Sequence, residues 1–133
     1  MSQHQGSCYC GSVKYQINST VKNIVNCHCK LCRDHSGTSL STYAVFPHAA
    51  FELTSGEADL KHHNLGEQAT KHFCSNCGTP IFNLNSKYPG ACMVFFGTLD
   101  DFENNPPQIN IWRESKLPWI DGIAEINSMT QGI

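Results

Sequence analysis

Apolar and polar residues alternate along most of this chain in short runs, and glycine, proline and small polar residues separate the runs. Val13, Tyr15 and Ile17 alternate with polar neighbours, the period of a half-buried strand. Residues 23–26 read as a short strand leading into a cysteine cluster. Residues 39–46 are rich in β-formers and stop at Pro47, and Phe51 and Leu53 alternate before a turn at Ser55-Gly56. Residues 79–84, the apolar run 91–97, and residues 108–112, where Ile109 and Ile111 flank Asn110, complete the expected strands. Helix is expected only as a turn around residues 29–34 and another around 99–103, where Asp100 and Asp101 suit the positive end of a helix dipole. His62-His63 sits in a polar stretch and reads as a solvated loop. The fold class that follows is mainly β: antiparallel sheets of short strands, with little helix and with metal staples.

Composition narrows this picture. The 133 residues suit a single domain spanning 1–133. With 40% apolar residues the chain can build one modest core. A net charge of -2 argues against a broad basic face, and hence against nucleic-acid binding. The polar start, Met1 to Gly6, lacks the charged and apolar regions of a secretory signal, and no apolar run is long enough to span a membrane. A reducing, cytoplasmic setting is the expectation. The Val94-Phe95-Phe96 run is compatible with a dimer interface or with a core strand, so the oligomeric state is left open.

The eight cysteines change the picture most. Cys8-x-Cys10, Cys27-x-Cys29-x-x-Cys32 and Cys74-x-x-Cys77 are tight clusters, and residues two apart on a strand point the same way. Such neighbours strain a mutual disulfide but can share one metal ion. The spacing therefore points to zinc rather than to a disulfide framework. Zinc prefers four ligands, so the two pairs, Cys8 and Cys10 with Cys74 and Cys77, make one closed tetrathiolate of structural type. Cys74-x-x-Cys77-Gly78 has the form of a zinc knuckle. Cys27, Cys29 and Cys32 remain, and three protein ligands plus one open position is the pattern of a catalytic zinc. A thiol reaching that position would be held as thiolate. Two alternatives stay open: His28 or His35 closes the second site as a fourth ligand, or the second zinc is absent. His28 lies between two cysteines and would face the other way on a strand, so it reads as a packing or ligand-supporting residue. His72, near Cys74, could hydrogen-bond a sulfur. Cys92, in an apolar strand, reads as a small buried hydrophobe.

The order of these motifs is itself informative. Gly6-x-Cys8-x-Cys10-Gly11-x-Val13-x-Tyr15 is followed by Cys27-His28-Cys29-x-x-Cys32-Arg33, Gly37 and Ser55-Gly56. Phe73-Cys74-Ser75-Asn76-Cys77-Gly78-Thr79, Gly97-Thr98-Leu99-Asp100 and Pro118-Trp119 complete the series. Across residues 6–119 the chain resembles the glutathione-dependent formaldehyde-activating enzyme family, which also contains centromere protein V. The resemblance implies a β-tent-like, mostly antiparallel domain with two zinc ions per chain and the same division of ligands. It implies a carbon–sulfur lyase, similar to S-hydroxymethylglutathione synthase, with a small thiol partner such as glutathione and a small carbonyl substrate such as formaldehyde. Arg33 and His35 are the residues that could assist at the developing alkoxide, and Arg113 and Lys116 beside Trp112 and Trp119 could meet an anionic thiol. The competing reading is a binding module in which both zincs are scaffolding. A minor third reading is zinc or thiol-redox buffering through Cys27, Cys29 and Cys32.

Overall fold

The computed structural model describes residues 3–132. Strands β1 (His4–Ser7), β2 (Lys14–Ile17) and β5 (Phe51–Ser55) form an antiparallel sheet in the order β1-β2-β5. A second, seven-stranded sheet contains β3 (Asn23–Cys27), β4 (Ser41–Pro47), β6 (Leu60–Leu65), β7 (Ala69–Cys74), β8 (Pro80–Asn85), β9 (Ala91–Phe95) and β10 (Ile109–Ile111). Its order is β10-β3-β4-β9-β8-β7-β6. One α-helix among the described residues, α1 (Lys30–Ser36), follows β3. The fold is therefore mainly β with little helix. All strand pairs are antiparallel but one: β10 runs parallel to β3, with Ile111 opposite Cys27. A long excursion of chain lies between these two strands, which a parallel pair requires.

The alternating pattern sorts side chains to the two faces of the large sheet. Ile24, Ala44, Phe46 and Val94 pack with Tyr15 and Ile17 of the small sheet in the main core. Each large apolar side chain withdrawn from water in this way contributes roughly 1.5–3 kcal/mol. Tyr15 and Phe46 are its largest fully buried members, and the Tyr15 hydroxyl shares a 2.7 Å hydrogen bond with Thr98 Oγ1, so its burial leaves no polar atom unsatisfied. Val25, Cys27, Tyr43 and Phe95 form a second cluster on the opposite face, together with Cys32 of α1. Cys92 is fully buried in the main core, and burial pushes its thiol up to about 12. Val94 and Phe95 are both buried within the chain, so the apolar run there belongs to the core.

Two local expectations are corrected. Residues 99–103 form turns rather than a helix. Phe102 is buried against His4, Phe46 and Phe96, and that anchoring outweighs the acidic helix-start signal. His62 and His63 lie on strand β6, where His62 pairs with His72 of β7, and not in a loop. β6 pairs with β7 alone and buries little, so its sequence shows no apolar alternation. The strands β1 and β7 were likewise silent for lack of apolar alternation, since most of their residues are only partly buried.

Candidate metal centres and the adjoining cavity

Two hairpin turns build the first cluster. The β1–β2 turn closes through the Cys8 amide on the Val13 carbonyl at 3.0 Å and the Gly11 amide on the Cys8 carbonyl at 3.2 Å. The β7–β8 turn closes through the Cys74 amide on the Thr79 carbonyl at 2.9 Å and the Gly78 amide on the Cys74 carbonyl at 2.7 Å. Gly78 has a φ of 83°, a left-handed conformation that glycine adopts without steric cost. The Tyr9 amide donates to Thr79 Oγ1 at 3.1 Å and docks one turn on the other. The two sheets thus meet at a set of four thiols, Cys8, Cys10, Cys74 and Cys77, whose sulfurs all lie within 4.8 Å of one another.

The donor set suits zinc. Four sulfurs at about 2.3 Å from a tetrahedral zinc stand about 3.8 Å apart. Cys8 and Cys10 sulfurs are 3.6 Å apart, and Cys10 and Cys74 sulfurs 3.9 Å. Polar groups surround them: Ser12 Oγ lies 3.2 Å from the Cys10 sulfur and 3.3 Å from that of Cys74, and Asn76 Nδ2 donates to Cys10 at 3.2 Å. The Thr79 hydroxyl, 3.1 Å from the Cys77 sulfur, lowers that thiol to about 5, and Ser12 lowers Cys10 to about 7. Thiolates are the ligand form, so these contacts favour metal binding.

The second cluster is assembled on the other face of the large sheet. Cys27 ends β3, Cys29 is the N-cap of α1, and Cys32 lies one turn into the helix. The Cys29 sulfur accepts the Cys32 amide at 3.3 Å, so one side chain both caps the helix and points at its neighbours. The Cys32 sulfur lies 3.1 Å and the Cys29 sulfur 3.5 Å from that of Cys27. Hydrogen bonding from Cys32 is the main cause that lowers the Cys27 thiol to about 6, while Cys32, donating to Cys27 and buried, is pushed up. These three thiols also form a set able to hold a metal ion, and among the described residues no fourth histidine, cysteine or carboxylate joins them.

The neighbouring residues separate clearly. His28 is buried, and its Nε2 lies 3.1 Å from Asn110 Oδ1, while its Nδ1 has no partner among the described residues. It packs under β10 and is not part of the thiol cluster. His35 lines the cavity beside the cluster, with Nε2 3.5 Å from the Tyr43 hydroxyl and 3.4 Å from Asn83 Nδ2. Burial, and then the Lys71 ammonium, hold His35 below the usual histidine range, which favours its uncharged form. Arg33 points away from the cavity. Its Nη1 donates to the His28 and Ser115 carbonyls, each at 2.7 Å, and ties the segment after β10 to the loop before α1. Lys116 is held by Asp121 at 2.8 Å, and Arg113 does not line the cavity. His72 contacts no sulfur; its ring stacks on Phe82 at 4.3 Å and its Nε2 meets Thr70 Oγ1 at 3.1 Å.

Sequence reasoning missed Tyr43 and Asn83. The Tyr43 hydroxyl donates to the Cys32 sulfur at 3.4 Å and accepts from Asn83 Nδ2 at 3.2 Å. Burial raises the Tyr43 phenol, so it stays protonated and remains a donor. Both residues sit at alternate, site-facing positions of β4 and β8, and only the sheet order brings them to the cysteines. The cluster lies at one side of a cavity of about 490 Å³, within the range of small-molecule sites.

A mainly β fold that carries a four-thiol cluster between its sheets and a three-thiol cluster in a cavity defines a cysteine-rich class of domain with two sets of thiols able to hold metal. Residues 3–115 match the glutathione-dependent formaldehyde-activating enzyme family, and the chain belongs to that family. A Halomonas elongata protein with the provisional name glutathione-dependent formaldehyde-activating enzyme is 26% identical over 126 residues, covering 88% of this chain and 79% of the relative. An uncharacterised lyase of Schizosaccharomyces pombe is 26% identical over 96 residues, 67% of this chain and 64% of that protein. The crystal structure of a Rhodobacter sphaeroides protein superposes with a TM-score of 0.66 at 19% identity, covering 80% of this chain and 97% of the other, and shares the fold. Among the described residues no helix is long and apolar enough to cross a membrane.

Proposed function

We propose that this protein is a zinc-dependent carbon–sulfur lyase that joins a thiol to a small aldehyde such as formaldehyde, and splits the adduct in reverse. The single observation that carries the reading is the three-thiol cluster in a cavity, left over once the four-thiol cluster is complete. Cys8, Cys10, Cys74 and Cys77 would hold the structural zinc, and Cys27, Cys29 and Cys32 the second. Bound there, zinc supplies an open fourth position and stabilises a thiolate at neutral pH.

The chain's own residues do the rest. The reaction forms one C–S bond: a sulfur lone pair enters the carbonyl carbon, the π pair moves to oxygen, and that oxygen takes the proton the thiol gave up. Tyr43 and Asn83 offer an O–H and an N–H beside the sulfurs, suited to hydrogen-bond the oxygen as its charge grows. His35 completes this wall. Met93, Ile111 and Trp112 give the cavity apolar walls, which limit the water around the reacting atoms. Holding both reactants here supplies proximity. Glutathione is the thiol in the name of the family and of the Halomonas relative, which makes it the first thiol to try.

Native mass spectrometry of the purified protein, with and without added thiol, is the test. Two zincs per chain and a thiol adduct that Cys27→Ser abolishes are the expected result. Two zincs with no adduct for any thiol would replace the enzyme by a binding module whose zincs are both scaffolding. One zinc per chain, retained in Cys27→Ser, would remove the open site altogether.

A further inference from the structure

The charges around the cavity say which thiol fits. Lys87 is the one charged side chain that lines it among the described residues, and no carboxylate does. Of the other nearby cations, Arg33 is engaged by two carbonyls, Lys71 by the His35 carbonyl, Lys30 by Asp34 at 2.7 Å and Lys116 by Asp121, and Arg113 does not line the cavity. Lys87 has no carboxylate partner among the described residues. It sits at the rim with its ammonium 5.9 Å from the Tyr88 ring centroid, and its amide is pinned by Asn85 Oδ1 at 2.9 Å.

Much of the rim is apolar, beside the polar Gln68, Asn85 and Ser115. Leu31, Tyr88 and Trp112 all line the cavity, yet each leaves nearly half of its surface in water, at 49%, 47% and 49%. Large apolar side chains held open around a cavity mark a ligand that covers them. Trp112 is also fixed at a φ of 57°, a conformation that bulky residues rarely adopt. The Arg33 clamp on Ser115 holds the turn just beyond it, so the wall is built before a ligand arrives.

Glutathione carries two carboxylates and an ammonium. In this cavity one carboxylate would meet no lining cation, the ammonium would meet no carboxylate, and the apolar part of the rim would face a polar peptide. Resting on the thiol–aldehyde reading above, we infer that the cavity selects a thiol with an apolar, ring-sized body and a single carboxylate, met by Lys87, in preference to glutathione.

Calorimetry on the zinc-loaded protein with three thiols tests this: 4-(mercaptomethyl)benzoate, benzyl mercaptan and glutathione. The carboxylated aryl thiol is expected to bind at least tenfold tighter than glutathione and several-fold tighter than benzyl mercaptan. Lys87 is exposed, so Lys87→Ala should fold normally and cut the ratio between the two aryl thiols at least threefold. The ratio of formaldehyde adduct formation rates, each corrected for the uncatalysed reaction, should follow the same order. Glutathione binding as tightly as the aryl thiols would overturn the selectivity and leave the thiol–aldehyde reading standing. An unchanged aryl-thiol ratio in Lys87→Ala would overturn the role of Lys87. No binding of any of the three would overturn both readings together.

Discussion

Replacing Arg33 by methionine probes how the cavity wall is held. Methionine keeps most of the apolar stem and removes the guanidinium. The side chain sits on α1, and its Nη1 bridges the His28 and Ser115 carbonyls at 2.7 Å each. A hydrogen bond to a charged group contributes about 1.5–3 kcal/mol. The two bonds share one nitrogen, and the segment carrying Ser115 is partly exposed, so its carbonyl can rehydrate. The expected loss is therefore below the sum of two such bonds, about 2–3 kcal/mol. A loss of 2 kcal/mol lowers the folded-to-unfolded ratio about 30-fold. Urea denaturation of the zinc-loaded protein, at fixed free zinc and followed by circular dichroism, measures it. The clamp also positions Trp112 and Ile111, so thiol dissociation constants should rise while zinc per chain stays at the wild-type value. A stability change under about 0.5 kcal/mol, within the usual range for a surface substitution, together with unaltered thiol binding would refute the clamp.

Two further outcomes follow from single residues. Gly56 has a φ of 84°, and a Cβ there would stand 2.2 Å from the Ser12 carbonyl oxygen; Gly56→Ala should lower stability by about 2 kcal/mol or more, and a change under 1 kcal/mol in the same urea assay would show that the turn yields. His35 has a folded pKa below its unfolded value, so its contribution to stability is present above the ordinary histidine range and is lost as pH falls towards the folded value. An NMR titration of its ring should give a midpoint below 6.5, and Lys71→Met should raise that midpoint; no movement would mean that the Lys71 charge does not reach the ring.

The cysteine spacing alone was enough to divide seven thiols into a set of four and a set of three, and the structure brings the same sets together. Thiol sets able to hold a metal ion are legible in this way because a tetrahedral ion constrains short sequence spacings directly. The core strands were legible for a similar reason. Val13, Tyr15 and Ile17 bury one face and leave a period-two trace, while β9, which carries Val94, reads as a continuous apolar run.

Strand β6 left no such trace, because an edge strand buries too little to need apolar alternation. Arg33 and His35 were equivalent candidates in sequence, being neighbours of Cys32. Packing alone separated them, turning one towards two backbone carbonyls and the other towards the cavity. Tyr43, Asn83 and Lys87 come from β4, from β8 and from the turn after β8, and they meet the cysteines only because β4, β9 and β8 lie side by side. The parallel partnership of β10 with β3, which carries Trp112 to the rim, is equally non-local. Local chemistry and local burial were written in the sequence. The charge and shape of the cavity arise from residues far apart along the chain, so only the order of strands in the folded sheet decided them.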